Sequence, residues 1–341
     1  MAFEVAMALR TGKLPPQLLE RLLKHTGARD RRVLLGPSIG EDAAVVRLGK
    51  QLLVLKTDPV TYASDMIGWY AVNINANDVA TRGATPAWFQ ATILLPVGSD
   101  EHLAEVIIKQ ISKAAKDLGV AITGGHTEVT PGIDHPIVVG DMHGVLEGNK
   151  VVRTSGARAG DAIVLTKSAG IEGTAVIARE KRDELLEVFD ADFVKRAANY
   201  LFRPGLSIVP EAGMAIKHGV SAMHDPTEGG VNMGLYELAE ASGKSVILDE
   251  EDVIVRRETE MICAKYELEP LGLLGSGALI ATFRPKDAEK FVAEVHRTGI
   301  DAAIIGRVVA GKGKSIVCAG GKTTPLSFSE RDEILKVLGP Q

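Results

Sequence analysis

The run His224-Asp225-Pro226-Thr227-Glu228-Gly229-Gly230 sets two carboxylates, a hydroxyl and paired glycines around one proline. An apolar strand-like stretch, Val220 to Met223, precedes it. Val231, Leu235, Leu238 and Ala239 follow on one helical face. A strand end, a polar turn and a helix start form a common ligand site. Backbone N–H groups at a helix N-terminus lack intrahelical partners, and the macrodipole there favours an anion. A plain turn with an Asx or N-cap motif satisfies the same residues.

Four upstream segments add oxygen donors at predicted element ends. They are Gly40-Glu41-Asp42-Ala43-Ala44 before a strand, Lys56-Thr57-Asp58-Pro59 after one, Asn77-Asp78 inside a helix, and Gly124-Gly125-His126-Thr127-Glu128 after a strand. Asp42 and Asp58 are expected at the ends of neighbouring strands. Two acids held close repel each other unless a cation lies between them. Magnesium takes hard oxygen ligands, commonly a few carboxylates together with substrate phosphates. Each aspartate taken alone is also a turn or capping residue. Asn73 and Asn77 share a helix face, and Asp78 lies about 100° further round. With Ile74 and Val79 beside them, Asn77 and Asp78 are expected at the edge of an apolar stripe; an exposed polar step is the simpler alternative. The glycines 124 and 125 would let backbone approach a phosphate closely. His126 is a hydrogen-bond donor, a proton carrier or a packing residue. Gly170-Ile171-Glu172-Gly173-Thr174 reads as a flexible loop before a helix. Neither a Walker P-loop nor a GxGxxG turn is present.

Positioning these groups requires two α/β units. Residues 1–35 read as a helical extension with the stripe Leu18, Leu19, Leu22 and Leu23. In residues 36–150 the pattern predicts strands at Ala43–Val46, Leu52–Lys56, Trp88–Leu95, Val120–Thr123 and Pro136–Leu146. Two helices intervene. One runs from Ser64 or Asp65 to Gly83 with the stripe Ile67, Tyr70, Ala71 and Ile74; the other is capped by Asp100 and ends at Gly119. Glycines at 148, 156 and 160 mark a boundary. Residues 151–315 alternate strands and helices again, and 316–341 form a tail. The order β-β-α-β-α-β-β is a mixed α/β layer.

Composition sets the outer bounds. The chain has 341 residues, enough for two domains. Aromatics are only 4% against 45% apolar residues in all, so Ala, Val, Ile and Leu must fill the core. A net charge of −5 argues against a nucleic-acid binder but leaves nucleotide phosphates open. Cys263 and Cys318 are the only cysteines, which disfavours a zinc site or a disulfide framework. No signal peptide and no membrane-spanning apolar run are seen, so a cytoplasmic protein is expected.

The ordered set Gly40-Glu41-Asp42-Ala43-Ala44, Thr57-Asp58, Asn77-Asp78, Gly83-Ala84-Thr85-Pro86, Gly124-Gly125-His126-Thr127 and Asp225 to Gly230 resembles the PurM-like ATP-binding superfamily. That superfamily includes aminoimidazole ribonucleotide (AIR) synthase, the hydrogenase-maturation protein HypE, thiamine-monophosphate kinase and selenophosphate synthetase. The resemblance spans about residues 36 to 310 and looks nearest to HypE, in part through Cys263 and Leu268-Glu269-Pro270-Leu271. It implies an N-terminal mixed-sheet domain that pairs into a barrel across a homodimer, a C-terminal α/β domain, and ATP with magnesium near the interface. It implies that Asp42, Asp58 and Asp78 bind metal and that Asn77, Gly124, Gly125, Thr127, Thr227, Gly229 and Gly230 contact the nucleotide. His126 and Asp225 become the catalytic candidates, Asp225 together with Thr227 on the substrate or triphosphate. The expected reaction is phosphoryl transfer or ATP hydrolysis that activates a phosphorylated, carboxy or amide substrate, with a maturation-pathway protein as a further partner. Departures are visible. HypE carries a C-terminal cysteine, whereas the last cysteine here is Cys318. His126 stands where HypE places an acid, Glu228 where it has an arginine, and Gly275-Ser276-Gly277 where it has Asn-Glu-Gly. A non-catalytic nucleotide- or phosphate-binding scaffold is the alternative expectation, and an acceptor role for the thiol of Cys263 or Cys318 is a third.

Overall fold

The stretch Ile67–Thr81 holds a single charged residue, Asp78, and has apolar residues on every side, so no helical face is left for water. In the computed structural model, which describes residues 9, 11–61, 63, 65–312, 315–319, 322–326, 329 and 331–339, this stretch is helix α2 and every residue in it is buried. The expected one-sided stripe is therefore an enclosed helix. Two of its asparagine amides donate within the helix: the Asn73 side chain to the Trp69 carbonyl at 2.9 Å, and that of Asn75 to the Ala71 carbonyl at 2.8 Å.

The first unit is a six-stranded sheet in the order β1-β2-β3-β6-β4-β5. Its strands are β1 (Val33–Leu35), β2 (Ala44–Leu48), β3 (Gln51–Val60), β4 (Ala84–Pro96), β5 (Ala121–Thr130) and β6 (Ile137–Leu146). All pairs are antiparallel except β4 with β5, which helix α3 (Glu101–Leu118) connects. Asp100 caps α3 by accepting from the Leu103 N–H, and Gly119 closes it at φ 70°. Among the described residues the sheet does not close on itself. Helix α1 (Pro16–Leu22) precedes it.

The second unit is a seven-stranded sheet in the order β13-β12-β9-β11-β7-β10-β8. It comprises β7 (Ala162–Thr166), β8 (Ala222–His224), β9 (Ser245–Asp249), β10 (Ile280–Phe283), β11 (Ala302–Val309), β12 (Ser315–Ala319) and β13 (Lys322–Leu326). Its helices are α4 (Ile171–Glu180), α5 (Arg182–Leu186), α6 (Ala191–Ala198), α7 (Val209–Lys217), α8 (Gly230–Ser242), α9 (Arg257–Tyr266), α10 (Pro285–Arg297) and α11 (Leu335–Leu338). The span expected as a tail thus supplies two strands and a short helix. The span 170–174, expected as a loop, is the N-cap and first turn of α4, and is buried. Among the described residues no helix is long and apolar enough to cross a membrane.

Candidate functional site

Asp42 ends the turn before β2, Asp78 lies in the last turns of α2, and Asp225 follows β8. One oxygen from each lies within 4.8 Å of the others. Asp78 and Asp225 are only 3% and 2% exposed. Neither Asp225 oxygen has a hydrogen-bond donor among protein atoms. The trio expected from Asp42, Asp58 and Asp78 is thus assembled with Asp225 in the third place. Asp58 stands at the rim, because its place within β3 points it toward Lys56, whose Nζ is 3.4 Å away. The same Nζ is 2.6 Å from Asp78 Oδ2. Burial raises the Asp78 carboxyl to about 6 despite Lys56, with Asp42 adding to the rise. Burial, then Asp78 and Asp42, hold the Asp225 carboxyl well above the usual carboxylate range. Buried carboxylates this close demand a proton or a cation.

A line of charges fixes Asp42 from behind. The fully buried Arg82, next after the end of α2, pairs with Glu41 and lies 2.9 Å from Asp42 Oδ2. It also donates to Thr154 Oγ1 at 2.9 Å and to the Met223 carbonyl at 3.0 Å, which ties the first unit to the second. His224 Nδ1 is 2.6 Å from Asp42 Oδ1, its Nε2 is 2.9 Å from Glu237 Oε2, and Lys13 Nζ is 2.8 Å from Glu237 Oε1. Burial opposes charge on His224, but Asp42 and Glu237 on its two nitrogens pull it up to about 10. Against burial, His224 and Arg82 bring Asp42 down to about 2, and Lys13 with His224 bring Glu237 to about 2. The alternating charges hold Asp42 ionised and oriented. A cavity of about 340 Å³ opens over the cluster, lined by Asp42, Asp58, Asp78, Asp225 and Thr227 with Lys13 at its mouth.

Other expected contacts lie elsewhere. Asn77 has its amide committed to backbone, donating to the Leu206 carbonyl and accepting from the Ile208 N–H, both at 2.9 Å. It clamps the segment before α7, because the enclosed helix must satisfy every polar group internally. Gly124, Gly125, His126 and Thr127 were expected in a loop after Val120–Thr123; the strand instead continues to Thr130 as an exposed sheet edge. A Cβ at Gly125 would meet the Ala91 carbonyl oxygen at 2.3 Å, so the glycine serves close pairing with β4. His126 is solvent-exposed beside Glu128, its Nε2 3.0 Å from Glu128 Oε2, and within this chain it does not join the carboxylate cluster. At the start of α8 the Gly229 N–H donates to Asp332 Oδ2 at 2.6 Å. Asp332 also accepts from the N–H groups of Leu274 and Ile334. The expected phosphate position on Gly229 and Gly230 is thus filled by the chain's own carboxylate. Gly230 is required by packing, since a Cβ there would lie 2.5 Å from the Leu271 and Leu273 carbonyl oxygens. Cys263 is buried and its thiol is pushed up to about 12 by burial, so it is a poor nucleophile. The Cys318 side chain lies outside the described residues.

Sequence reasoning assigned no role to Lys56, Arg82, His224 or Glu237. A signal existed for Lys56, which is two residues from Asp58 on one strand and shares its face. Arg82 sits in an unremarkable helix end, and only tertiary contacts reveal it.

Residues 40–146 match the family described as AIR synthase related protein, N-terminal domain, and residues 158–319 match the corresponding C-terminal domain. A carbamoyl dehydratase HypE from Rhizobium leguminosarum bv. viciae is 30% identical over 280 residues, covering 80% of this chain and 77% of the relative. The chain belongs to the AIR synthase-related, PurM-like superfamily. A hydrogenase expression/formation protein of Methanocaldococcus jannaschii is 29% identical over 303 residues, covering 86% of this chain and 88% of that protein. Among solved structures, hydrogenase maturation protein HypE in complex with ATP superposes with a TM-score of 0.72 at 25% identity, over 92% of this chain and 91% of that one.

Proposed function

We propose that this protein is an ATP- and magnesium-dependent enzyme that activates an acceptor by phosphoryl transfer or ATP hydrolysis. The observation that carries the reading is the convergence of Asp42, Asp78 and Asp225, with both buried Asp225 oxygens left without a protein donor. That donor set is all carboxylate oxygen, which fits a hard divalent cation. Asp42, Asp78 and Asp225 would hold magnesium, which when bound neutralises charge on phosphoryl oxygens. The similarity to HypE solved with ATP supports a nucleotide in the adjoining cavity. Around it, Arg82 and His224 keep Asp42 ionised, Thr227 offers a hydroxyl to phosphate or substrate, and Lys13 and Lys56 supply positive charge at the mouth. Catalysis in this arrangement is mostly positioning and charge compensation.

The reading includes a homodimer. Along β3, β4 and β6 alternate residues are only partly buried; Leu53, Leu55, Val139 and Val145 lie on that outward set, and Trp88 is 40% exposed. A second copy would cover this face and place β5, with Gly124, Gly125, His126 and Thr127, at the interface. The acceptor would bind beside the nucleotide, and the HypE likeness favours a maturation-type partner protein.

The test is magnesium-dependent ADP release by the wild type and by Asp78→Ala and Asp225→Asn. Turnover in the wild type and a drop of about a hundredfold or more in each variant is expected. Saturable ATP binding without turnover in the wild type would make the chain a binding module. No nucleotide binding at all would end the proposal.

A further inference from the structure

A second compartment of about 300 Å³ adjoins the first and shares Lys13, Asp58 and Thr227 with it. Val60, Ile74, Val176 and Leu274 give it apolar lining, with Val176 one turn after Glu172 on α4. Its polar lining includes Glu172, from the first turn of α4, and Ser276. Glu172 is 4% and Ser276 1% exposed, and apart from the approach of the Ser276 hydroxyl to the Glu172 carboxyl, Glu172 Oε2 and Ser276 Oγ find no hydrogen-bond partner among protein atoms. Burying polar atoms without partners is costly, so such atoms facing a cavity mark a place for a ligand. The nucleotide reading uses neither residue.

The surroundings select the ligand's charge. Asp58 and Glu228 line the same compartment, and among the described residues Lys13 is the one cationic side chain in its wall. Burial, then Asp332, Glu228 and Asp58, push the Glu172 carboxyl up to about 8 against the Ser276 hydroxyl; Tyr70, on α2, also feels its charge. The carboxylates of Asp58, Glu228 and Asp332 around it give the compartment a negative potential, and that potential draws cations. A metal ion is a poor fit: among the described residues only Asp42, Asp78 and Asp225 bring three ligand atoms close enough to share one. Spread carboxylates together with apolar lining suit a cation with a hydrocarbon body.

We propose that this compartment is the acceptor subsite and takes a small alkylammonium-type cation, its body on Val60, Ile74 and Val176 and its N–H groups donating to Glu172 and Ser276. Glu172 releases its proton to solvent as the cation enters. The assignment as acceptor site rests on the nucleotide reading; the binding of the cation does not.

The probe is butylammonium, with butyramide and butyrate as neutral and anionic controls, titrated into the full chain with magnesium and a non-hydrolysable ATP analogue. Butylammonium should bind at least about tenfold more tightly than either control, and Glu172→Gln should remove about tenfold while keeping the side chain's shape. Ser276→Ala should weaken it several-fold. Calorimetry in buffers of different ionisation enthalpy should show proton release near neutral pH in the wild type and none in Glu172→Gln, a readout that a purely structural Glu172 would not move. Equal binding of butyramide or indifference to Glu172→Gln would overturn the inference. Nucleotide affinity measured on the same samples separates the two readings: butylammonium binding with no nucleotide binding sinks the acceptor assignment and leaves the cation site standing.

Discussion

Replacing Lys56 by methionine tests whether the carboxylate cluster is built for a divalent cation. Lys56 Nζ lies 2.6 Å from Asp78 Oδ2 and 3.4 Å from Asp58 Oδ2, and its side chain is 19% exposed. It therefore plays the part of a cation in the metal-free protein and competes with one in the loaded protein. The two effects of Lys56→Met have opposite signs. Without metal, a mostly buried ion pair is broken. The full cost of breaking such a pair is about 3–5 kcal/mol, and because Asp78 can take up a proton instead, about 2 kcal/mol remains. That lowers the melting temperature by roughly 3 °C for a chain of 341 residues. With metal, a repulsion disappears. A unit charge and a divalent ion about 4 Å apart near a protein surface repel by about 8 kcal/mol, twice the value for two unit charges. The flexible lysine can swing toward solvent and relieve much of that, leaving about 1.4–2.8 kcal/mol, or a magnesium affinity about 10–100-fold higher. Differential scanning fluorimetry across a magnesium series, with calorimetric titration of the same variant, reads both. A folded Lys56→Met protein that binds magnesium no more tightly than the wild type would refute the reasoning, because it would mean that Asp78 does not contact the ion.

Arg82→Met removes the contacts to Glu41, Asp42, Thr154 and the Met223 carbonyl. It should cost about 3–5 kcal/mol, seen as a lower urea midpoint at unchanged m-value. His224 is raised from 6.5 to about 10, so its stabilisation is complete below about pH 6.5 and is lost as pH rises through about 10. The destabilisation of His224→Gln, measured by urea unfolding at a series of pH values, should follow that course and disappear in the alkaline limb. Asp42 and Glu237, lowered to about 2, should add an acid limb in which stability falls as pH drops from about 4.5 through about 2. Trp88→Glu places a charge on the outward sheet face and should convert a dimer into a monomer in light scattering at unchanged melting cooperativity; a monomeric wild type would remove the dimer from the proposal.

Much of the scaffold was legible because its signals are local. The alternation of strands and helices in residues 36–150, the Asp100 cap and the Gly119 stop follow from residue spacing and backbone preference over a few neighbours. So did the kinds of side chain the site would use, since carboxylates and glycines beside strand ends are visible in any short window. Four matters needed the whole fold. Helix α2 has partners on every side, so its polar residues became clamps and ligands; its sequence read as one-sided. The GGHT run belongs to an extended edge because β4 offers it a register. The start of α8 is filled by Asp332, 103 residues away from Gly229 in sequence. The third member of the carboxylate cluster is Asp225 because β8 delivers it beside Asp42 and Asp78, whereas Asp58 turns to Lys56 at the rim. Residue type and spacing decide what a segment can form and which chemistry it can offer. Which charges meet, and which are stripped of water when they do, depends on contacts between distant segments, and only the folded chain decides that.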